Sequence, residues 1–451
     1  MATAPTPSGL TRLDALVQAA LQTAPVVLLQ GPHQSGKTAL AQRAGGNTAQ
    51  GAGRRVLDLN DADALAAARN DPLGLMQGLD AAPGALTILE LQRAPHLLAA
   101  IAQSAQVSPA PGRILATTSG DLRQLVASTL GLANAVQFVH VLPPAQADIA
   151  GASANWLDAA FAGRIENLAA PQPLSGTALQ ERVLRGGMAG SVERDVSRSR
   201  HLWLRRYLLD LLAPEGADLQ DLHFRHQLLG LSKVEKVGKL QALLEGAAAA
   251  SGQLANFKGL GELAGLNSKT ADRYVAGLEQ LLLLERIPAF GAGRLARAVS
   301  APRLQFLDAG VLADCLGQNG VIAERHRAKL GAAWSPEMAQ VLRCFATAEL
   351  KQHAQVAEGR YQISHYRDHD QREVDLVVEN AQGQVLAVHV KAGATVTPSD
   401  FRTLSNLGNQ VGSNFKAGVL LYDGTVTERV KTLPSGATLW QVPVSSLWGR
   451  W

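Results

Sequence analysis

The sequence is short of cysteine, aromatic rings and charge, and each shortage excludes a class of protein. Only Cys315 and Cys344 occur in 451 residues, which excludes a disulfide scaffold and a cysteine-rich zinc module. A reducing compartment follows, and a cytoplasmic location is the expectation. Aromatics at 4% argue against a single-strand nucleic-acid binder built on stacked rings. The longest apolar runs, such as Leu281–Leu284, fall far below the roughly 20 residues that cross a bilayer. The N-terminus lacks a basic start followed by an apolar stretch, so neither a membrane contact nor a signal peptide is expected. The eleven histidines form no H-x-x-x-H pair on a helical stretch, and no zinc site is expected.

What is present is apolar material: 47% of the residues, against 18% charged. That suffices for roughly two to four cored domains and excludes a disordered chain, a collagen-like fibre or a bare coiled coil. A net charge of +4 permits phosphate or nucleic-acid partners without requiring them.

The first 150 residues alternate. A helix over Thr11–Gln22 precedes the apolar run Val26–Leu29, and strand-like runs follow at Arg55–Leu59, Leu86–Leu89, Arg113–Thr117 and Ala135–Val141. Helical stretches separate them, which predicts a parallel, doubly wound α/β sheet. From Gly151 to Leu284 the pattern is helical. Within it, Gly261–Leu284 has a helix-turn-helix outline, with a turn at Gly265 and Ser268 as the expected N-cap. The last 150 residues return to strands, with a turn at Asn380–Gly383, a helix from Ser399 and a buried strand in KAGVLLYDG.

The sharpest motif is Gly31-Pro32-His33-Gln34-Ser35-Gly36-Lys37-Thr38, a complete G-x-x-x-x-G-K-T with Ala39 following. It sits between a buried strand and a helix, as a phosphate-binding loop must. The glycines let backbone N–H groups turn inward, Lys37 reaches the β and γ phosphates, and the Thr38 hydroxyl is the expected Mg²⁺ ligand. ATP with Mg²⁺ is the expected cofactor pair. A second acid belongs at the end of the third strand, and LTILELQRAP supplies Glu90 there. Glu90 is open to three readings: water-orienting base, metal ligand, or a plain strand-end carboxylate. Thr117, Thr118 and Ser119 form a polar strand end where a γ-phosphate sensor would sit, or an ordinary turn.

Taken in order, LLQGPHQSGKTAL, LELQRAP, LRGGM, NSKTADRYVAGLEQLLLLERIPAF, LQFLDAGVLADCLG, ATAELKQ, HYRDHDQREVDLVVE, VHVKAG and GVLLYDG resemble one family across nearly the whole chain. These are the bacterial AAA-like ATPases with a C-terminal domain of unknown function similar to PD-(D/E)xK nucleases. The resemblance implies an AAA-like P-loop NTPase core over 1–150, a helical lid over 151–240 and a winged-helix-like segment over 241–300. A degenerate, restriction-endonuclease-like α/β domain is implied over 301–451. The departures bear on activity. Leu89 stands where the family has the first of two acids, Leu132 follows Gly131 where it has Arg, and a further Arg-Asp is replaced around Pro214 and Glu215. Loss of these charges predicts slow hydrolysis, or binding without turnover.

At the nuclease-like end, Asp375 supplies one acid. His389-Val390-Lys391 stands where the resemblance implies Glu-Val-Lys, so His389 and Lys391 share a strand face while a metal-binding charge is lost. Arg343 replaces a helix acid and Glu349 remains. Glu349, Asp375, His389 and Lys391 are thus the candidate degenerate nuclease site, with Asp375 and Lys391 as a buried ion couple in the structural alternative. Lys269 and Arg273 on the second helix of the helix-turn-helix, followed by Arg286, Arg294, Arg297 and Arg303, are candidate DNA contacts. A second basic run, Arg182, Arg185, Arg194, Arg198, Arg200, Arg205 and Arg206, reads as solvated helix charge.

The reading that unites these is an ATP-binding AAA-like protein, catalytic through Lys37 and Glu90. It would hydrolyse slowly and couple nucleotide state to DNA, to a protein partner or to further copies of itself. The alternatives are a non-hydrolysing nucleotide-gated switch and an ATP-dependent nuclease.

Overall fold

The computed structural model describes residues 10–46, 54–81, 84–152, 154–168, 172–212, 237–291, 295 and 298–449. Arg294, Arg297, Pro214 and Glu215 lie outside the described residues.

The N-terminal module comprises α1 (Leu10–Thr23), β1 (Val26–Gln30), α2 (Lys37–Gly46), β2 (Arg55–Asp58), α3 (Ala62–Asn70) and α4 (Pro72–Ala81). It continues with β3 (Leu86–Leu89), α5 (Leu97–Val107), β4 (Ile114–Thr118), α6 (Arg123–Ser128) and β5 (Val136–His140). The five strands are parallel, in the order β2-β3-β4-β1-β5. Every residue of β1 is buried because both faces of the sheet are covered, which is why the strand reads as an unbroken apolar run. Val27 and Leu29 pack with Leu13 and Val17 of α1 and Leu40 of α2. Val26 and Leu28 face Leu97 and Ile101 of α5 across the other side. This is the P-loop NTPase α/β fold, with its functional edge where β1 and β3 end.

Next come α7 (Gln146–Ile149), α8 (Trp156–Phe161), α9 (Gly176–Arg185), α10 (Ala189–Val192) and α11 (Ser197–Leu212). They are followed by α12 (Val237–Ala249), α13 (Phe257–Ala264), α14 (Ser268–Gln280) and an antiparallel hairpin of β6 (Leu284–Ile287) and β7 (Arg303–Phe306). The helix-turn-helix is α13–α14, joined at Gly265 in the left-handed conformation. Asn267, not Ser268, caps α14, its side chain accepting from the Thr270 N–H. Both are capping types; the chain leaves extended backbone one residue earlier than expected. The second strand of this hairpin lies beyond residue 300.

The C-terminal part contains α15 (Ala309–Cys315), α16 (Val321–Leu330), α17 (Pro336–Gln355) and a six-stranded mixed sheet. Its strands are β8 (Tyr361–Arg367), β9 (Glu373–Asn380), β10 (Val385–Lys391), β11 (Phe415–Tyr422), β12 (Glu428–Thr432) and β13 (Thr438–Pro443), in the order β12-β13-β11-β10-β9-β8. Helix α18 (Arg402–Val411) lies against it. Ser335 caps α17 through the Met338 N–H, with Pro336 in the first turn. Its residues Val341, Leu342, Phe345 and Leu350 belong to one continuous core with Trp156, Val183, Leu278, Leu376 and Val388. One helix therefore joins the helical segment, the helix-turn-helix and the last sheet.

Candidate functional site

Residues 31–36 wrap from the end of β1 to the start of α2. Gln34 and Gly36 have positive φ, 62° and 93°. A Cβ on Gly31 would sit 2.0 Å from the Val141 carbonyl oxygen, so only glycine fits beside β5. Pro32, Ser35 and Lys37 are buried, while His33, Gln34, Thr38 and Ala39 are exposed. Lys37 is 3% exposed and its Nζ donates to the Pro32 carbonyl at 2.7 Å. Burial holds its ammonium at about 8, below the usual lysine value, with the charge of Glu90 partly offsetting the shift. One buried polar atom at this edge, Ser35 Oγ, lacks a hydrogen-bond partner, and such an atom is costly unless a ligand satisfies it. Together with the N-terminus of α2 and a buried cation, it suits the phosphate chain of a nucleotide. For Mg²⁺ the oxygen donors here are Thr38 and Glu90. Leu89, 4% exposed, packs in the apolar cluster with Leu40 and Leu115 and supplies none.

Glu90 directly follows β3, which β4 separates from β1, so two strand spacings of about 4.8 Å lie between them on the same sheet edge. Its backbone is left-handed, φ 58° and ψ 46°, and its N–H donates to Thr117 Oγ1 at 3.0 Å. The carboxylate accepts from Gln92 Nε2 at 2.6 Å and from Ser119 Oγ at 3.2 Å. Gln92 Oε1 accepts the Ser119 N–H at 3.1 Å. Of the polar strand end, Thr117 and Ser119 thus contact Glu90, whereas Thr118 hydrogen-bonds Gly120. Gln92 stands two residues beyond Glu90 in LELQRAP, yet nothing in that spacing reveals a clamp to β4, so sequence reasoning misses its role.

This edge is wired to the rest of the chain. The Leu122 N–H donates to Gln30 Oε1, and the Asp121 N–H donates to the Gln280 carbonyl at the end of α14. The His33 ring stacks loosely on Tyr207 of α11 (centroids 6.5 Å), which stacks on Trp203 at 5.6 Å. A Cβ on Gly187, in LRGGM, would sit 2.1 Å from the Pro144 carbonyl oxygen. Its N–H donates at 2.7 Å to Asp308, whose other oxygen caps α15. Sequence reasoning also misses Asp308, although an Asp immediately before a helix signals a cap.

The four residues expected at a nuclease site are not brought together. Asp375 and His389 meet, Oδ2 to Nδ1 at 2.7 Å. Asp375 also accepts the Val390 N–H at 2.8 Å and faces Arg303 Nη1 at 3.8 Å, while Arg303 Nη2 holds its backbone carbonyl. Burial pushes the Asp375 carboxyl up, but His389 and Arg303 outweigh it and hold it well below the usual range. The His389 imidazole is raised in return. Lys391 does not pair with Asp375; its Nζ reaches Asp400 at 2.6 Å. Glu349 lies elsewhere altogether. Both its oxygens accept the Gln146 N–H, at 2.8 and 2.9 Å, making it the N-terminal cap of α7 from 203 residues away. Burial pushes its carboxyl up to about 8, partly countered by the Gln146 N–H. Among the described residues no cluster of His, Cys, Asp or Glu is arranged to hold a metal ion.

On α14, Lys269 and Arg273 are exposed, but Arg286 is paired with Asp272 at 2.7 Å and Glu279 at 3.1 Å, so the helix face carries both signs. The arginine run of α9–α11 is not one solvated face either. Arg200 is fully buried against Glu181, Arg182 donates to Gln146, and Arg185 and Arg206 pair with Asp195 and Asp210.

Two family matches cover parts of the chain, one described as Domain of unknown function (DUF4143) over residues 340–445 and one as Domain of unknown function (DUF8612) over 176–321. An uncharacterized protein of Mycobacterium tuberculosis and one of Mycobacterium bovis are each 26% identical over 393 residues, 86% of this chain and 75% of theirs. Among solved structures, a variant of RuvB from Thermotoga maritima is similar at 17% identity over 62% of this chain and 89% of its own, with a TM-score of 0.27. NtrX from Brucella abortus in complex with ATP is similar at 16% identity over 62% of this chain and 69% of its own, with a TM-score of 0.26. At scores this low the fold assignment rests on the strand order and the loop between β1 and α2. No helix among the described residues is long and apolar enough to cross a membrane.

Proposed function

We propose that the protein binds ATP with Mg²⁺ at residues 31–39, hydrolyses it slowly, and passes the nucleotide state to contacts made by its C-terminal half. The observation that carries this is the buried Lys37, held at the foot of a strand–loop–helix in which the buried Ser35 Oγ lacks a partner. In this reading Lys37 binds the β and γ phosphates, backbone N–H groups of 33–38 line the chain, and the Thr38 hydroxyl holds the metal. The metal, when bound, neutralises charge building on the transferred phosphoryl group. Glu90 orients the attacking water by accepting its hydrogen bond. The Asp121–Gln280 bond gives a route from this edge to α14, where Lys269 and Arg273 are the candidate contacts to DNA phosphates.

A second reading, a nucleotide-gated switch without turnover, is favoured by Leu89, whose place in the core removes the usual first acid. Cleavage of nucleic acid is the weakest reading, because Asp375 is already saturated by His389, Arg303 and the Val390 N–H. The test is ATP binding and multiple-turnover hydrolysis for wild type and Lys37→Ala, with and without duplex DNA. Binding lost in the variant together with slow, DNA-stimulated turnover supports the proposal. Tight binding with no turnover selects the switch. Binding that survives Lys37→Ala overturns both.

A further inference from the structure

We infer that Gln92 is a positioning residue that fixes the Glu90 carboxylate against the end of β4. The inference deepens the proposed function and rests on its reading of Glu90 as the group that orients water.

The geometry is asymmetric. Glu90 Oε2 takes both short contacts, from Gln92 Nε2 at 2.6 Å and Ser119 Oγ at 3.2 Å. Oε1 has only a long one, 3.4 Å from Ser119 Oγ. One oxygen is anchored and the other is left with capacity to accept a hydrogen bond from water. The anchor is itself anchored, because Gln92 Oε1 takes the Ser119 N–H at 3.1 Å. One amide therefore bridges the carboxylate to the backbone of the strand between Glu90 and the phosphate loop. The left-handed backbone of Glu90 is an uncommon conformation for a non-glycine residue. Thr117 Oγ1 fixes its N–H, and the short 3₁₀ turn Leu91–Arg93 brings Gln92 round to face its neighbour. A charge-assisted bond of this kind keeps a carboxylate within a fraction of an ångström, and water orientation depends on that precision.

The test uses the full chain with Gln92→Ala and Gln92→Glu, the latter keeping the length while removing the donor to Glu90. Without nucleotide, exchange of the Ser119 amide proton should quicken at least about ten-fold in Gln92→Ala, because its acceptor is gone. With ATP and Mg²⁺, both variants should lose about ten- to a hundred-fold in kcat, while the ATP Kd stays within about three-fold of wild type, the pattern of an interaction spent on the reaction rather than on binding. Turnover within two-fold of wild type in both variants overturns the inference, as does a parallel loss of Kd and kcat, which would mark a merely structural residue. A wild type that binds ATP and never turns over also overturns it while leaving nucleotide binding intact. A wild type whose ATP binding is absent, or is unchanged by Lys37→Ala, overturns the underlying reading instead.

Discussion

Replacing His389 by glutamate restores the acid that the resemblance implies on β10, and the surrounding charges determine the cost. In the native chain His389 Nδ1 lies 2.7 Å from Asp375 Oδ2, and the carboxylate is 2% exposed. Removing one member of a buried pair costs about 3–5 kcal/mol, chiefly because the other is left uncompensated. In His389→Glu a second carboxylate then takes the cation's place, with Arg303, at 3.8 Å, and the charge of Arg343 to balance it. The expected loss is at least about 3 kcal/mol, read from the urea midpoint of the full chain at neutral pH. A divalent cation has no vacancy at Asp375 in the wild type, so addition of Mn²⁺ should leave the wild-type midpoint unchanged. In His389→Glu the two acids would attract it, and saturation to about a hundred times Kd would return about 2.7 kcal/mol. Two results refute this reasoning: a His389→Glu chain as stable as wild type without metal, or a wild-type chain stabilised by Mn²⁺.

Three further outcomes are expected from the geometry. Leu89→Asp should raise the steady-state ATPase rate several-fold at some cost in stability, since it places a carboxylate beside Leu40 at the foot of α2; an unchanged rate would remove the missing acid as the cause of slow turnover. Glu349→Ala strips the cap from α7 and should cost about 1–3 kcal/mol, with Glu349→Gln losing less because one acceptor oxygen survives; equal midpoints for all three chains would count against the cap. His353 is buried between the Trp156 N–H and the Leu447 carbonyl, and burial holds it at about 4 against 6.5 in the unfolded chain. The unfolded chain therefore binds the extra proton, so stability should fall by about 3 kcal/mol as pH drops from 6.5 to 4. His353→Gln should flatten that slope, and parallel urea–pH curves for the two chains would sink the account.

The legible part of the sequence is local. β1, the loop and α2 are contiguous, so an apolar run, two glycines and a lysine announce them together. Alternation along β10 correctly puts His389 and Lys391 on one face, yet it cannot say that Asp400, nine residues on, claims the lysine and leaves His389 to Asp375. Glu349 reads as an acid on a helix from any window of sequence. Its true partner lies 203 residues upstream, a pairing set by how α17 crosses the P-loop module and by no local pattern. The pairing of β6 with β7 is hidden for a related reason. β6 and β7 are four residues each, and so brief a strand finds its mate through packing rather than periodicity. The mixed charge of α14 is equally hidden, because in sequence Asp272 and Glu279 are ordinary solvated neighbours, whereas the fold turns both onto Arg286.

The long reach of α17 sets a timetable for synthesis. The last strand of the first sheet ends at His140, but the cap on α7 comes from Glu349. Gln352 of the same helix holds the Leu142 and Pro143 carbonyls. A nascent chain must therefore add about two hundred residues, roughly 10–40 s at about 5–20 residues per second, before the edge of the P-loop module acquires its last partners. Through that interval the carbonyls of Leu142 and Pro143 and the start of α7 wait for α17 to emerge. The P-loop module comes first in the chain, yet its edge is completed only once α17 has emerged.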